Sequence, residues 1–129
     1  MTWAAVFAAF VASHVAGDFL LQTEWQAVTK VQGFGTADGR RALISHVATY
    51  MIAFLPALVW VANDRTVARA IVVAVLVAVP HVLVDDGHFV RVWLRRIKHA
   101  PEPAPSLSLM VDQSFHLVCL LGAALVAAS

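Results

Sequence analysis

VARAIVVAVLVAVPHVLVD, residues Val67–Asp85, is the stretch that decides the fold. It is long enough to cross a bilayer, which takes about 20 mostly apolar residues. Its ionisable residues are Arg69 at one end and His81 and Asp85 at the other. Lipid offers no partner for backbone polar groups, so such a segment must close its hydrogen bonds within itself and be a helix. Thr2–Gln22, Ala42–Ala62 and Leu107–Ala128 have the same character. The expected fold is therefore all-α: a polytopic membrane protein with a bundle of four transmembrane helices, forming a single domain over residues 1–129.

The composition agrees. Hydrophobic residues make up 60% of the chain and charged residues 13%, against about 45–50% and about 25% in soluble domains. The formal net charge of +1 excludes nucleic acid as a partner, because such binders carry a concentrated basic face. Membrane lipids are the expected surroundings. The one cysteine, Cys119, allows no internal disulfide and reads as a small packing residue. The first span lacks a basic leader and carries His14 and Asp18, so it does not read as a signal peptide. No internal repeat is evident.

The connectors differ in kind. Thr23–Arg41 holds Gly33, Gly35 and Gly39, which suggest turns, along with Lys30, Arg40 and Arg41. The second connector is the short NDRT. The third contains HFVRVWLRRIK. Over about residues 88–98 this places Phe89, Val92, Trp93 and Ile97 on one side of a helix and Arg91, Arg95 and Lys98 on the other. It reads as a short basic interfacial helix in the headgroup layer, with Arg96 snorkelling. HAPEPAP ends it, since proline does not continue a helix. The first and third connectors carry most of the positive charge, and Arg65 and Arg69 lie on the other side. The positive-inside rule then puts both termini outside. Trp3, Trp25, Trp60 and Trp93 lie near span ends, where aromatic anchors collect.

The spans also contain His14 and Asp18, His46, His81 and Asp85, and Asp112 and His116. A charged group at mid-bilayer costs at least about 2.5–3.5 kcal/mol on insertion scales, so each needs a partner or a purpose. Because the helices alternate in direction, these seven residues share one depth, roughly 5–15 Å from the cytoplasmic helix ends at 1.5 Å rise per residue. Three of the helices place a carboxylate and an imidazole four residues apart, which puts both on one face. Imidazole and carboxylate together suit a divalent metal of the zinc, iron, manganese or nickel kind. Zinc is the best fit, as one ion or two, with His14, Asp18, His46, His81, Asp85, Asp112 and His116 as candidate ligands. His46 and Asp112 are also candidates for proton transfer. Histidine pairs can hold haem, but carboxylates one turn away have no role there, so haem is disfavoured. The plainer alternative is interhelical hydrogen bonding and self-satisfied ion pairs, yet such pairs need no common depth. Asp86 is either a further ligand or an interfacial charge, and His88 and His99 read as solvated.

HVAGDFLLQ followed by Lys30, then His46, HVLVD and DQSFH, resembles an uncharacterised family of small bacterial and phage-encoded four-helix membrane proteins. The H-x-x-x-D-F-x-L-Q element falls on His14, Asp18, Phe19, Leu21 and Gln22, and D-Q-x-x-H on Asp112, Gln113 and His116. More remotely, the H-x-x-x-D pairs resemble those of membrane-bound metal-dependent hydrolases. The resemblance implies a bacterial inner (cytoplasmic) membrane, or a host cell membrane if the gene belongs to a phage.

Two classes of function follow. One is a metal-dependent hydrolase acting on a lipid-phosphate-like or other amphiphilic substrate at the cytoplasmic side, with Gln22, Lys30, Gln113, Arg91 and Arg95 in contact with substrate. The other is an ion, proton or metal transporter or sensor, or a non-catalytic protein stapled by a structural metal. Gly122, Ala123 and Ala124 permit close helix contact, within one bundle or in a homo-oligomer.

Overall fold

The computed structural model describes residues 1–129 and contains helices only. Helix α1 spans Trp3–Val15 and continues into a π-helical segment, Ala16–Leu20. A short α2, Glu24–Thr29, leads into a 3₁₀ segment, Lys30–Gly35. Helices α3 (Ala37–Asp64), α4 (Val67–Asp85), α5 (His88–Arg96) and α6 (Pro105–Ala128) complete the chain. The α1–π unit, α3, α4 and α6 are each long and apolar enough to cross a membrane.

Local sequence explains where the helices start. Thr2, Thr23, Thr36 and Thr66 each precede a helix, and each side chain accepts a backbone N–H of the first turn. Such caps contribute about 1 kcal/mol apiece. The Thr36 cap starts α3 at Ala37, five residues before the apolar run that begins at Ala42. The first connector is likewise more ordered than its glycines suggest. Gly33 has φ of 59°, which L side chains rarely adopt, and a side chain there would collide with the Asp86 carboxylate. That carboxylate accepts the Phe34 N–H at 3.0 Å and clips the 3₁₀ segment to the end of α4.

The bundle is a closed ring: α1 packs on α3 and α6, and α4 packs on the same two helices. Its distal half, toward Met1 and Ser129, is filled by Val6, Phe10, Phe54, Val61, Val73, Val77, Leu120 and Ala124. The outward faces are apolar as well. Ile52, Leu55 and Val59 on α3, Ile71, Val75 and Val79 on α4, and Val118 and Leu125 on α6 are all exposed. Apolar residues all round a helix suit a lipid solvent. Ionic contacts close the distal end, where the Met1 amine meets Asp64 at 3.2 Å. Arg65 and Arg69 donate to the carbonyls of Ala128 and Val126 at 2.7 and 3.1 Å, favourable positions for cations at a helix C-terminus.

Helix α5 differs from the sequence expectation in which side it buries. Val90 and Leu94 face inward, against Val84 and Val111. Phe89, Val92 and Ile97 stay exposed. Phe89 and Trp93 pack on the Phe115 ring, with centroids 4.8 and 5.1 Å away. The helix thus has two apolar sides, one for the bundle and one turned outward. Ala123 and Ala124 are buried inside the bundle, whereas a side chain at Gly122 would meet nothing within 4 Å.

Candidate metal centre

The cluster forms where the four long helices converge at the end opposite Met1. His14 and Asp18 arrive from α1 and the π segment, His46 from α3, His81 and Asp85 from α4, and Asp112 and His116 from α6. His14, Asp18, His46, His81, Asp85 and His116 are buried. All three pairs spaced four apart are in contact: His14 Nδ1–Asp18 at 3.6 Å, His81 Nε2–Asp85 at 3.2 Å and His116 Nδ1–Asp112 at 3.5 Å.

The tightest grouping crosses between helices. His46 Nε2 lies 3.1 Å from His81 Nε2, 3.0 Å from Asp85 Oδ2 and 3.3 Å from Asp18 Oδ1. His81 Nε2 lies 3.2 Å from Asp85 Oδ2 and 3.7 Å from Asp18 Oδ1. Four atoms bound to one tetrahedral ion at about 2.0–2.1 Å are about 3.3–3.4 Å apart. The His46, His81 and Asp85 atoms are spaced for part of such an array, with Asp18 Oδ1 beside the two imidazole nitrogens. Asp18 Oδ1 and His81 Nδ1 are both buried with no hydrogen-bond partner, and the two Nε2 atoms offer lone pairs to an ion when the rings carry their protons at Nδ1.

Residues 6–129 match the family described as Protein of unknown function (DUF3307). The chain belongs to that family. No curated protein and no solved structure matches it.

The remaining candidate residues surround this array. His14 is engaged at both ring nitrogens. Asp112 accepts from the Gln113 amide nitrogen at 3.0 Å, which turns the Gln113 oxygen toward His14 Nε2 at 2.9 Å. His14 Nε2 therefore carries the proton, and Nδ1 accepts from the Tyr50 hydroxyl at 3.0 Å. His116 Nδ1 donates to the Asp112 carbonyl at 3.0 Å, leaving Nε2 as a free lone pair directed inward. A backbone carbonyl at one nitrogen is the usual way a ligating imidazole is fixed. Lys30, on the 3₁₀ segment, donates to Asp85 Oδ2 at 2.7 Å. The Gln22 amide, in the orientation its neighbours dictate, donates to the Asp18 carbonyl at 3.1 Å and accepts from Lys30 at 2.7 Å.

The π segment explains how Asp18 and Gln22 both reach inward. Leu21 N donates to Ala16 O, five residues back, at 3.0 Å. The extra residue in this turn shifts the helix phase, so Phe19, Leu20 and Leu21 point out. π-turns of this kind recur at functional sites.

Tyr50 is a site residue absent from the sequence reading. Its ring stacks on His81 at 3.5 Å between centroids, tilted by 11°, while its hydroxyl holds His14. It stands four residues after His46, the spacing of the other pairs, and is the only tyrosine in the chain. Gly17 makes room for it, since a Cβ there would meet the Tyr50 ring at 2.5 Å and its Cα at 3.3 Å. Asp86, His88 and His99 stay apart from the cluster. Asp86 binds the Phe34 amide, and both histidines are exposed.

A cavity of about 490 Å³ leads from the cluster toward α5. Asp18, Asp85, Asp112 and Gln113 line its inner end; Lys30, Arg91 and Arg95 line its sides; Phe19, Val84, Leu94 and Leu109 add apolar wall. Arg91 also donates to the Val31 carbonyl at 3.2 Å. The volume falls within the range of about 300–1,000 Å³ typical of small-molecule sites.

Proposed function

We propose that this chain is an integral membrane metalloprotein that uses a divalent ion, zinc for preference, to hydrolyse an anionic amphiphile such as a lipid phosphate. The observation that carries the reading is the cavity. It reaches Asp18 and Asp85, the carboxylates that contact His46, and joins them to three cationic side chains and an apolar wall. An ion held there supplies Lewis acidity and a hydroxide near neutral pH. Lys30, Arg91 and Arg95 suit the phosphate by charge, and Phe19 and Leu109, both exposed, suit an acyl or prenyl chain arriving from lipid. Hydrolysis of the P–O bond to the lipid would consume one water, whose oxygen would join phosphorus and whose protons would pass to the lipid alcohol and the phosphate. Conduction through the bundle is disfavoured, because the distal half is packed with apolar side chains from Val6 to Ala127.

Protein purified in detergent is expected to contain stoichiometric zinc or a similar metal by elemental analysis. His46→Ala and Asp18→Asn are expected to remove it. The loaded protein is expected to release inorganic phosphate from phosphatidic acid or a polyprenyl phosphate in mixed micelles, and Asp85→Asn to abolish release. Absence of stoichiometric metal from wild-type protein overturns the metal reading. Metal without turnover of either lipid overturns the lipid-phosphatase reading.

A further inference from the structure

We infer that Asp85 bridges two metal positions, the second formed by Asp85 Oδ1, His116 Nε2 and the Asp112 carboxylate. The inference rests on the metal reading of the first position and extends it to a binuclear centre.

The two oxygens of Asp85 face different neighbours. Oδ2 takes part in the array with His46 and His81 and receives Lys30. Oδ1 faces His116 Nε2 at 3.6 Å. Both Asp85 Oδ1 and His116 Nε2 are buried without any hydrogen-bond partner. Asp85 is 2% exposed and His116 3% exposed, so both lie away from bulk solvent. In the neutral imidazole His116 Nε2 bears no proton, because Nδ1–H is committed to the Asp112 carbonyl. A cation between these two buried acceptors would satisfy both, where an unsatisfied buried polar group costs about 1–3 kcal/mol. Lys30 does not reach this side, as its bonds go to Asp85 Oδ2 and Gln22. Asp112 is the candidate third ligand: one ligand atom from each of Asp85, Asp112 and His116 lies within 4.8 Å of the others, and the Asp112 carboxylate, 3.5 Å from His116 Nδ1, would turn toward the Nε2 side to join them.

Charge balance ties the second ion to an anionic substrate. With neutral imidazoles, the carboxylates of Asp18, Asp85 and Asp112 and the ammonium of Lys30 leave two negative charges. One divalent ion brings the centre to neutrality. A second makes it cationic, which favours an anionic substrate over a neutral one. A carboxylate-bridged pair of ions also clamps both the attacking and the leaving oxygen of a phosphoryl group. The second position is richer in oxygen than the first, so it favours harder ions and binds zinc more weakly.

The test is zinc stoichiometry, measured by equilibrium dialysis and elemental analysis on chelator-stripped protein in detergent. Exposed His88 and His99 are first replaced by alanine to remove adventitious sites. This background is expected to bind two zinc ions per chain. His116→Ala and Asp112→Asn are each expected to keep one and to weaken the second at least about ten-fold. Asp112 is partly exposed, so its substitution probes the site even if His116→Ala fails to fold. One ion in the background protein, or two retained at unchanged affinity in both variants, overturns the second position while the first stands. No bound ion in the background protein overturns both readings.

Discussion

Lys30 and Asp85 show how the centre manages charge. The ammonium sits 2.7 Å from Asp85 Oδ2, with their side chains 12% and 1% exposed. Breaking a buried ion pair by removing one partner costs about 3–5 kcal/mol, because a charge is left uncompensated. A divalent ion at the same carboxylate restores compensation. Lys30→Met is therefore expected to lower the thermal midpoint of metal-free protein in detergent and to widen the rise produced by zinc relative to wild type. An equal zinc-induced rise in both proteins would show that the ion and Lys30 do not share Asp85. At this scale the sequence discloses the titratable residues of the cluster through their spacing and common depth. It sets Lys30 beside the substrate but does not disclose its bond to Asp85, because the contact spans 55 positions and comes from a glycine-bearing connector. Tyr50 escapes for another reason: an aromatic residue within an apolar run reads as core, and only the fold shows its hydroxyl against His14.

Helices place these residues by devices of their own. The π segment turns Asp18 inward, and nothing in AGDFL announces an extra residue per turn. Gly17 lets α1 approach α3 closely enough for Tyr50 to stack on His81. Gly17→Ala is expected to destabilise the bundle by about 1–3 kcal/mol through overpacking and to weaken zinc binding, both measurable by denaturant titration with and without metal. Unchanged stability and affinity would mean the contact yields freely. Helix α5 offers a paired test. Leu94 is 2% exposed and Ile97 56% exposed. Leu94→Ala is expected to cost about 2–5 kcal/mol, as for other buried leucines, whereas Ile97→Ala leaves stability unchanged and weakens only contacts with lipid. Equal losses would place both residues in the core. The basic, amphipathic character of α5 is plain from HFVRVWLRRIK. Which apolar side meets the protein is not, because Val90 and Leu94 compete with Phe89, Trp93 and Ile97 for that role, and the packing of Phe115 and Val111 settles the choice.

At the scale of the whole molecule, four spans are evident from length and hydropathy, and the ring order of α1, α3, α4 and α6 is not, since apolar faces all round a helix name no neighbour. Charge separates the two ends. Lys30, Arg40, Arg41, Arg91, Arg95, Arg96 and Lys98 gather at the cluster end. At the distal end Arg65 and Arg69 are tied to the last carbonyls of α6, so even these two cations serve to close the bundle. Positive charge therefore collects mostly beside the cluster, the asymmetry from which orientation is expected to follow. We propose on this ground that the cavity opens toward the cytoplasmic leaflet, where anionic headgroups are concentrated. Single cysteines at Asp38 and Glu102, both exposed, in a Cys119→Ser background, test this directly. In intact cells both are expected to resist a membrane-impermeant maleimide and to react after permeabilisation, whereas a cysteine at Ser129 reacts in both conditions. The opposite pattern would reverse the orientation, place the cavity on the outer leaflet and redirect the search for substrate to lipids on that side.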